Sequence, residues 1–347
     1  MPRPRPAEFA WPRGDRPGRL AFTHALAAPV EAAIRQALGD RFAPARDAAA
    51  RFAALADGPG PAGRYELAGP GGRWFVRVSA RRGNASLERA IVEALAEGGV
   101  PVSPPTVAGV PLAWAGETYR IDVRPFIDGR HFAGALADVL AVAAVLGRAH
   151  AVLAGYERRQ EVRDAAARRN AVLAGRLDRV RGWLADGAFG AFHDDPAWAA
   201  SHRDWLERMT RDFEPRVDLA PGAQCLHGEL HQGNVLFRAP DGAPVLLDFE
   251  EAVHVFAPPA WDVAFLVQRF ILAGNPPLDE AREAVARVRE AYAAALPPLA
   301  PAMRQGAWFA MTLLLEQRAA EGLTVPPAEY DKFVALERQA STYHDVL

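Results

Sequence analysis

Apolar and polar residues alternate in the first third of the chain and shift to a helical period after it. From Arg73 to Val78, Trp74, Val76 and Val78 fall on one face and Phe75 and Arg77 on the other, the two-residue period of a half-buried strand. Arg64 to Leu67 precedes it, and the intervening Ala68-Gly69-Pro70-Gly71-Gly72 predicts a hairpin. Tyr119 to Val123 alternates again, then breaks into a turn at Arg124-Pro125-Phe126-Ile127-Asp128-Gly129. Two helices are interleaved with these strands. One runs from Pro29 through Val30, Ile34 and Leu38 to Gly39, with Pro at its start and Gly at its stop. The other covers Ser86 to Gly98, with Leu87, Ile91 and Leu95 at four-residue spacing.

Beyond Arg130 the period is helical. Leu136, Leu140, Ala143, Leu146 and His150 predict a helix whose buried face carries His150, and Leu173, Leu177, Val180 and Leu184 predict another. Trp198 and Trp205 sit among His202, Asp204, Glu207 and Asp212, the pattern of an amphipathic helix with a mixed-charge solvent face. Glu280 to Ala295 and Pro301 to Ala319 are helical as well. One β signal interrupts them: Val235 to Arg238 and Val245 to Asp248 flank Ala239-Pro240-Asp241-Gly242-Ala243, where Pro presets φ and Gly takes positive φ, so the two runs pair as a hairpin. The chain is therefore α+β, with a small β-rich first part and a larger helical second part.

Composition narrows the class. A length of 347 residues accommodates two domains. The net charge of −2 proposes no nucleic-acid partner, and no run is expected to reach the roughly 18 to 20 apolar residues of a membrane span. Met1 to Leu20 is rich in Pro and Arg, lacks the apolar centre of a secretory signal, and reads as an arm of a cytoplasmic protein. The lone Cys225 allows no internal disulfide and reads as a packed thiol. Lys332 is the single lysine, so every other permanently charged basic side chain is an arginine. The Asp57-Gly58-Pro59-Gly60-Pro61-Ala62-Gly63 segment brings glycines that let backbone N–H groups approach phosphates and prolines that remove donors, so it is read as a β-turn or a phosphate loop.

The chemistry concentrates in His227-Gly228-Glu229-Leu230-His231-Gln232-Gly233-Asn234 and in Asp248-Phe249-Glu250. Phosphoryl transfer needs a carboxylate facing the acceptor hydroxyl and oxygen ligands that hold Mg²⁺ against the phosphates. Glu229, Asn234 and Asp248 supply these groups, and the predicted hairpin carries Asn234 and Asp248 to one end. His227 and His231 share the four-residue spacing of a helical zinc motif, but Gly228 and Gly233 oppose a continuous helix there.

These residues resemble the aminoglycoside phosphotransferase and choline kinase superfamily, whose signature is His-Gly-Asp, an Asn five residues beyond that Asp, and an Asp-Phe-acidic triplet. The departure is Glu229 in place of the Asp. The resemblance implies a two-lobed protein-kinase-like fold: an arm over 1–20, a nucleotide-binding N-lobe over 21–129 with a hinge near 123–129, and a helical C-lobe over 130–347 with its catalytic loop at 227–234 and the metal-binding triplet at 248–250. It further implies ATP and Mg²⁺ as cofactors, with Asn234 and Asp248 as metal ligands and Glu229 as catalytic base. Arg77, held by Glu88, would steady the phosphates, and Val123, Arg124 and Phe126 would receive the adenine. Trp261-Asp262 resembles the family's helix start, where Asp262 caps the helix or braces the catalytic loop. The implied acceptor is a small-molecule hydroxyl; the alternatives are a stress-response Ser/Thr protein kinase and a nucleotide-binding pseudokinase. Glu250, Glu251, Asp204 and Glu207 are the carboxylates offered to a cationic acceptor.

Overall fold

The structure, a computed structural model, describes residues 22–56, 60–80, 84–188, 195–321 and 327–347. The arm over 1–20 and residues 57–59 of the Gly-Pro segment lie outside the described residues. The chain forms two compact units, one running up to Ala133 and including Gly233–Val253, the other made of Gly134–Gln232 and His254–Leu347.

The first unit is built on a six-stranded antiparallel sheet of order β1-β2-β3-β4-β6-β5. Its strands are β1 (His24–Ala25), β2 (Arg51–Ala54), β3 (Gly63–Gly69), β4 (Gly72–Ser79), β5 (Val107–Trp114) and β6 (Glu117–Pro125). The β3–β4 hairpin is the predicted one, and its register sets Tyr65 opposite Val76 and Arg64 opposite Arg77. Alternation along β4 then sorts the two faces: Val76 and Val78 enter the core with Ile121 and Val123, which leaves Phe75 and Arg77 on the other face. Helix α1 (Ala28–Leu38) closes that core with Val30, Ile34 and Leu38. Helix α2 (Ala85–Glu97) starts one residue before its predicted first residue because the Asn84 side chain caps it, accepting from Leu87 N at 3.1 Å.

A second small sheet completes this unit in the order β10-β9-β7, with β7 (Gly129–Arg130), β9 (Val235–Arg238) and β10 (Pro244–Leu246). Val245 lies opposite Leu236 and Gly242 has φ +68°, as the predicted turn requires. Leu246 bridges to Val102 and its N–H donates to Pro101 O at 3.0 Å. A Cβ on Gly129 would stand 2.5 Å from Phe237 O, so only glycine permits the β7–β9 approach. These pairings place 233–253 in the sheet unit, whereas the two-lobe reading assigned it to the C-lobe. In sequence alone the hairpin follows helices; its hydrogen-bond partners lie more than a hundred residues earlier.

The second unit is helical: α3 (Leu136–Ala154), α4 (Arg159–Ala185), α5 (Pro196–Ser201), α6 (Arg203–Asp212), α7 (Ala260–Phe270), α8 (Leu278–Tyr292), α9 (Ala300–Glu321) and α10 (Pro327–Thr342). A two-stranded ribbon, β8 (Gln224–Cys225) with β11 (Phe256–Ala257), leads into the His227 segment. Trp198, Trp205, Met209, Trp308, Met311 and Tyr330 form its main core. Helix α3 corrects the expectation about apolar runs, since among the described residues it is the one helix long and apolar enough to cross a membrane. Its apolarity has an internal use: Val139, Val142, Leu146, His150 and Leu153 are buried, and Gly147 packs so closely on the carbonyl of Tyr292 in α8 that a Cβ would overlap it.

Candidate active site

Within the sheet unit a pocket is lined by Phe22, Arg64, Phe75, Arg77, Arg124 and Phe126 on one side and by Asn234, Leu247 and Asp248 on another. Arg77 crosses it. Its Nη1 donates to Asp248 Oδ1 and its Nη2 to Glu250 Oε2, each at 2.7 Å. Burial opposes the charge on Arg77 most strongly, but Asp248, Glu250 and the more distant Glu88 together override it and raise the guanidinium pKa. Asp248 has φ +59°, a left-handed conformation uncommon for a residue other than glycine. That turn ends β10 at Leu246, short of the predicted Asp248. Leu247 N still donates to Asn234 O at 2.9 Å, so Asn234 and Asp248 emerge at the same end of the hairpin, as expected.

Glu88 is buried at 3% exposure, but its partners differ from the expected Arg77. Its Oε2 accepts from Arg120 Nη2 at 2.5 Å and its Oε1 from Arg124 Nη2 at 2.9 Å. Arg120 also donates to Asp122 at 2.6 Å, and Arg124 Nη1 to Ser103 O at 3.3 Å. The reason is competition: Asp248 and Glu250 take Arg77, and the two arginines of β6 take Glu88. Val123 is likewise displaced from its expected role, because alternation along β6 turns it into the core at 0% exposure. Arg124, Pro125, Phe126 and Ile127 do line the pocket. Phe126 is held by Arg73, whose guanidinium lies 4.0 Å from the ring centroid and binds Asp128 at 2.8 and 2.9 Å.

The helical unit organises the other half of the motif around Asp262 at the start of α7. Asp262 Oδ2 accepts from His227 N at 2.8 Å and from His150 Nε2 at 3.0 Å, while Oδ1 accepts from Gly228 N at 2.9 Å. His150 is fixed in turn by the Tyr292 hydroxyl at 2.8 Å. Burial alone would raise the carboxyl pKa of Asp262, yet the His150 bond, the His150 and His227 rings and the Gly228 amide hold it below the ordinary range. Asp262 therefore braces the loop, and His150 is the core histidine expected of it. Gly228, at φ +88°, turns the loop toward Glu229. Arg269 on α7 is pulled down to about 10 by burial, and the charge of Glu229 opposes that pull. Gln232 ties its side-chain amide to the carbonyl of Arg269.

Several of these residues carry no sequence signal of their own. Phe22 precedes the first strand, yet its ring packs edge-on to Phe75 and Phe126 with centroids 6.3 and 5.8 Å away. Glu250, offered above to a cationic acceptor, is occupied by Arg77, and Glu207 by Arg203 at 2.7 Å. Arg120 and Arg269 stand out only once the fold has buried them. Cys225 is fully buried, and burial pushes its thiol up to about 12.

The donor set suits a hard cation. Among the described residues no three His, Cys, Asp or Glu side chains gather into a metal cage. Mg²⁺ requires none, since it binds through one or two protein oxygens together with substrate phosphates. Asn234 and Asp248 offer an amide and a carboxylate oxygen at one end of the hairpin, which fits that mode.

A small antiparallel sheet and a helical unit that carries a braced His-Gly-Glu loop match the kinase-like fold expected from the sequence. Residues 53–309 match the profile of the phosphotransferase enzyme family, and the chain belongs to that family, whose members transfer phosphate to an alcohol group. No curated protein matches the sequence. Among solved structures, amicoumacin kinase hAmiN in complex with AMP-PNP, Ca²⁺ and Ami aligns with a TM-score of 0.56 at 15% identity, over 90% of this chain and 95% of that one. An aminoglycoside phosphotransferase from Alicyclobacillus acidocaldarius aligns at 0.53 and 16% identity, over 88% and 96%. A thermostable mutant of aminoglycoside phosphotransferase APH(4)-Ia, in ternary complex with ADP and hygromycin B, aligns at 0.52 and 13% identity, over 89% and 98%. At these identities the likeness establishes the fold.

Proposed function

We propose that the protein transfers the γ-phosphate of ATP to a hydroxyl of a small molecule, with Mg²⁺ as cofactor. The observation that carries this reading is the pocket of the sheet unit, where Arg77, Asn234 and Asp248 line the same wall system as Phe22, Phe75 and Phe126. An apolar aromatic end suits a nucleobase, and a cation beside two oxygen ligands suits a metal-bound polyphosphate.

In this reading Arg77 binds phosphate oxygens with the planar fork that a lysine lacks. Asn234 and Asp248 hold Mg²⁺, which when bound neutralises charge on the β- and γ-phosphates. Glu229 orients the acceptor hydroxyl and accepts its proton, and Asp262 keeps the loop carrying Glu229 in shape through the His227 and Gly228 amides. Positioning and charge complementarity account for most of the acceleration, with a base adding about 10² to 10⁴.

The test is ADP release from Mg-ATP across a panel of hydroxylated small molecules, with Asp248→Ala as the reference. Release above that reference with one or more acceptors supports the reading. Labelled phosphate moving only to protein serine or threonine indicates the protein-kinase alternative. Binding of Mg-ATP without transfer to any acceptor indicates a pseudokinase.

A further inference from the structure

We propose that Arg64 is a second phosphate-contacting arginine of the sheet-unit pocket, through which the protein reads the length of a nucleotide's polyphosphate chain. This deepens the phosphotransferase reading and rests on it for the identity of the nucleotide. Arg64 lies directly opposite Arg77 in the β3–β4 register, and both side chains line the pocket that contains Asn234 and Asp248. Residues so paired share one face of the sheet, with Cβ atoms about 4.5–5.5 Å apart, so an anion that reaches Arg77 is within range of Arg64 as well.

The charge inventory of the wall singles out Arg64. Arg77 is paired with Asp248 and Glu250, and Arg124 with Glu88. Asp128, the other carboxylate of the lining, is held by Arg73 at 2.8 Å. His131 turns its Nδ1 to the carbonyl of Val235 at 3.1 Å. Among the described residues no carboxylate pairs with Arg64, which is exposed at the start of β3. Among the described residues, Arg64 is thus the pocket arginine with no carboxylate partner. With the only lysine at position 332, the negative charge of a polyphosphate falls to arginines, and a guanidinium can bind two phosphate oxygens at once.

Calorimetric titration of the full chain and its Arg64→Ala, Arg64→Lys and Arg64→Glu variants with Mg-ATP, Mg-ADP, AMP and inorganic tripolyphosphate tests the assignment. Arg64 is exposed, so the variants are expected to keep the wild-type melting temperature. Losing one charge-assisted phosphate contact in Arg64→Ala is expected to weaken Mg-ATP and tripolyphosphate about tenfold and AMP less than about twofold, with Arg64→Lys between. Arg64→Glu should weaken Mg-ATP further. Equal weakening of ATP and AMP, unchanged binding of tripolyphosphate, or no tripolyphosphate binding by the wild type overturns the proposal. A wild type that binds tripolyphosphate through Arg64 but ignores Mg-ATP leaves the arginine assignment standing and removes the ATP reading.

Discussion

Arg77 donates to Asp248 at 2.7 Å, so the carboxylate assigned to the metal is held by a guanidinium from β4. The same guanidinium spans to Glu250, also at 2.7 Å, and all three side chains are mostly buried. In the proposed reading a divalent cation at Asp248 would compete with Arg77 for that carboxylate, and Arg77 would then be free to meet phosphate. The ion pair and the proposed metal would be alternative ways to balance the charge of Asp248.

Arg77→Met separates the two. With the arginine gone, Asp248 and Glu250 face each other's charge in a half-dry site, and the fold is expected to lose about 1–3 kcal/mol. Mn²⁺, used as the probe, should restore much of that loss, so its effect on melting temperature is larger in the variant than in the wild type. Mg-ATP turnover should fall in the same protein. Thermal melts with and without Mn²⁺ decide the matter, and equal Mn²⁺ shifts in both proteins rule out competition for Asp248.

Glu88→Ala should behave differently from Arg77→Met. Glu88 balances Arg120 and Arg124 in a site where the three side chains are 4%, 16% and 13% exposed. Removing it strands two cations, one of them still paired with Asp122, at an expected cost of about 3–5 kcal/mol. No Mn²⁺ rescue is expected, because the uncompensated charges are positive. Denaturant unfolding measures the loss, and a Mn²⁺-rescued Glu88→Ala would return Glu88 to the role of an Arg77 partner.

The contrast between these two residues shows what was legible in the sequence. Alternation placed Arg77 on the correct face of β4 and helical spacing placed α2, because each depends on neighbours within a few residues. The spacing around Pro240 and Gly242 likewise gave the hairpin and put Asn234 and Asp248 at one end. Partner choice was not local: Glu88 had three arginines within reach, and only the packed sheet decided among them. The Asp262 brace was anticipated from the Trp-Asp helix start, whereas Arg269 and Phe22 acquire meaning only from burial and ring contacts. The assignment of 233–253 to the sheet unit depends on hydrogen bonds to 101–102 and 129–130, which no periodicity encodes.

Asp262→Asn tests the brace. Three donors converge on the carboxylate, from His227, Gly228 and His150. An amide would turn one N–H toward another, so a loss of about 1–3 kcal/mol is expected from one unsatisfied buried donor. The pH dependence has a definite sign. The folded pKa of Asp262 lies below its ordinary value, so its stabilisation is complete above the unfolded value of about 3.9 and is lost as pH falls through the folded one. The melting-temperature gap between wild type and Asp262→Asn should therefore be constant near neutral pH and shrink below about pH 4. A gap that persists undiminished in acid excludes the charged carboxylate as its source.

Glu229 is best tested by two substitutions that separate reach from charge. Gln keeps the length of the side chain and loses the basic oxygen; Asp keeps the charge and shortens it by one methylene. If Glu229 accepts the proton, Glu229→Gln should lower kcat by about 10² to 10⁴ while leaving the Kd for Mg-ATP unchanged, since a base acts in the transition state rather than on nucleotide binding. Glu229→Asp should retain more of the activity than Glu229→Gln. The buried guanidinium of Arg269, for which Glu229 supplies the opposing charge, gives a second and independent readout. Melting temperature should fall in Glu229→Gln, where that charge is removed, and hold in Glu229→Asp, where it is kept. A Gln variant as active as the wild type removes Glu229 from the proton transfer, whatever its effect on stability.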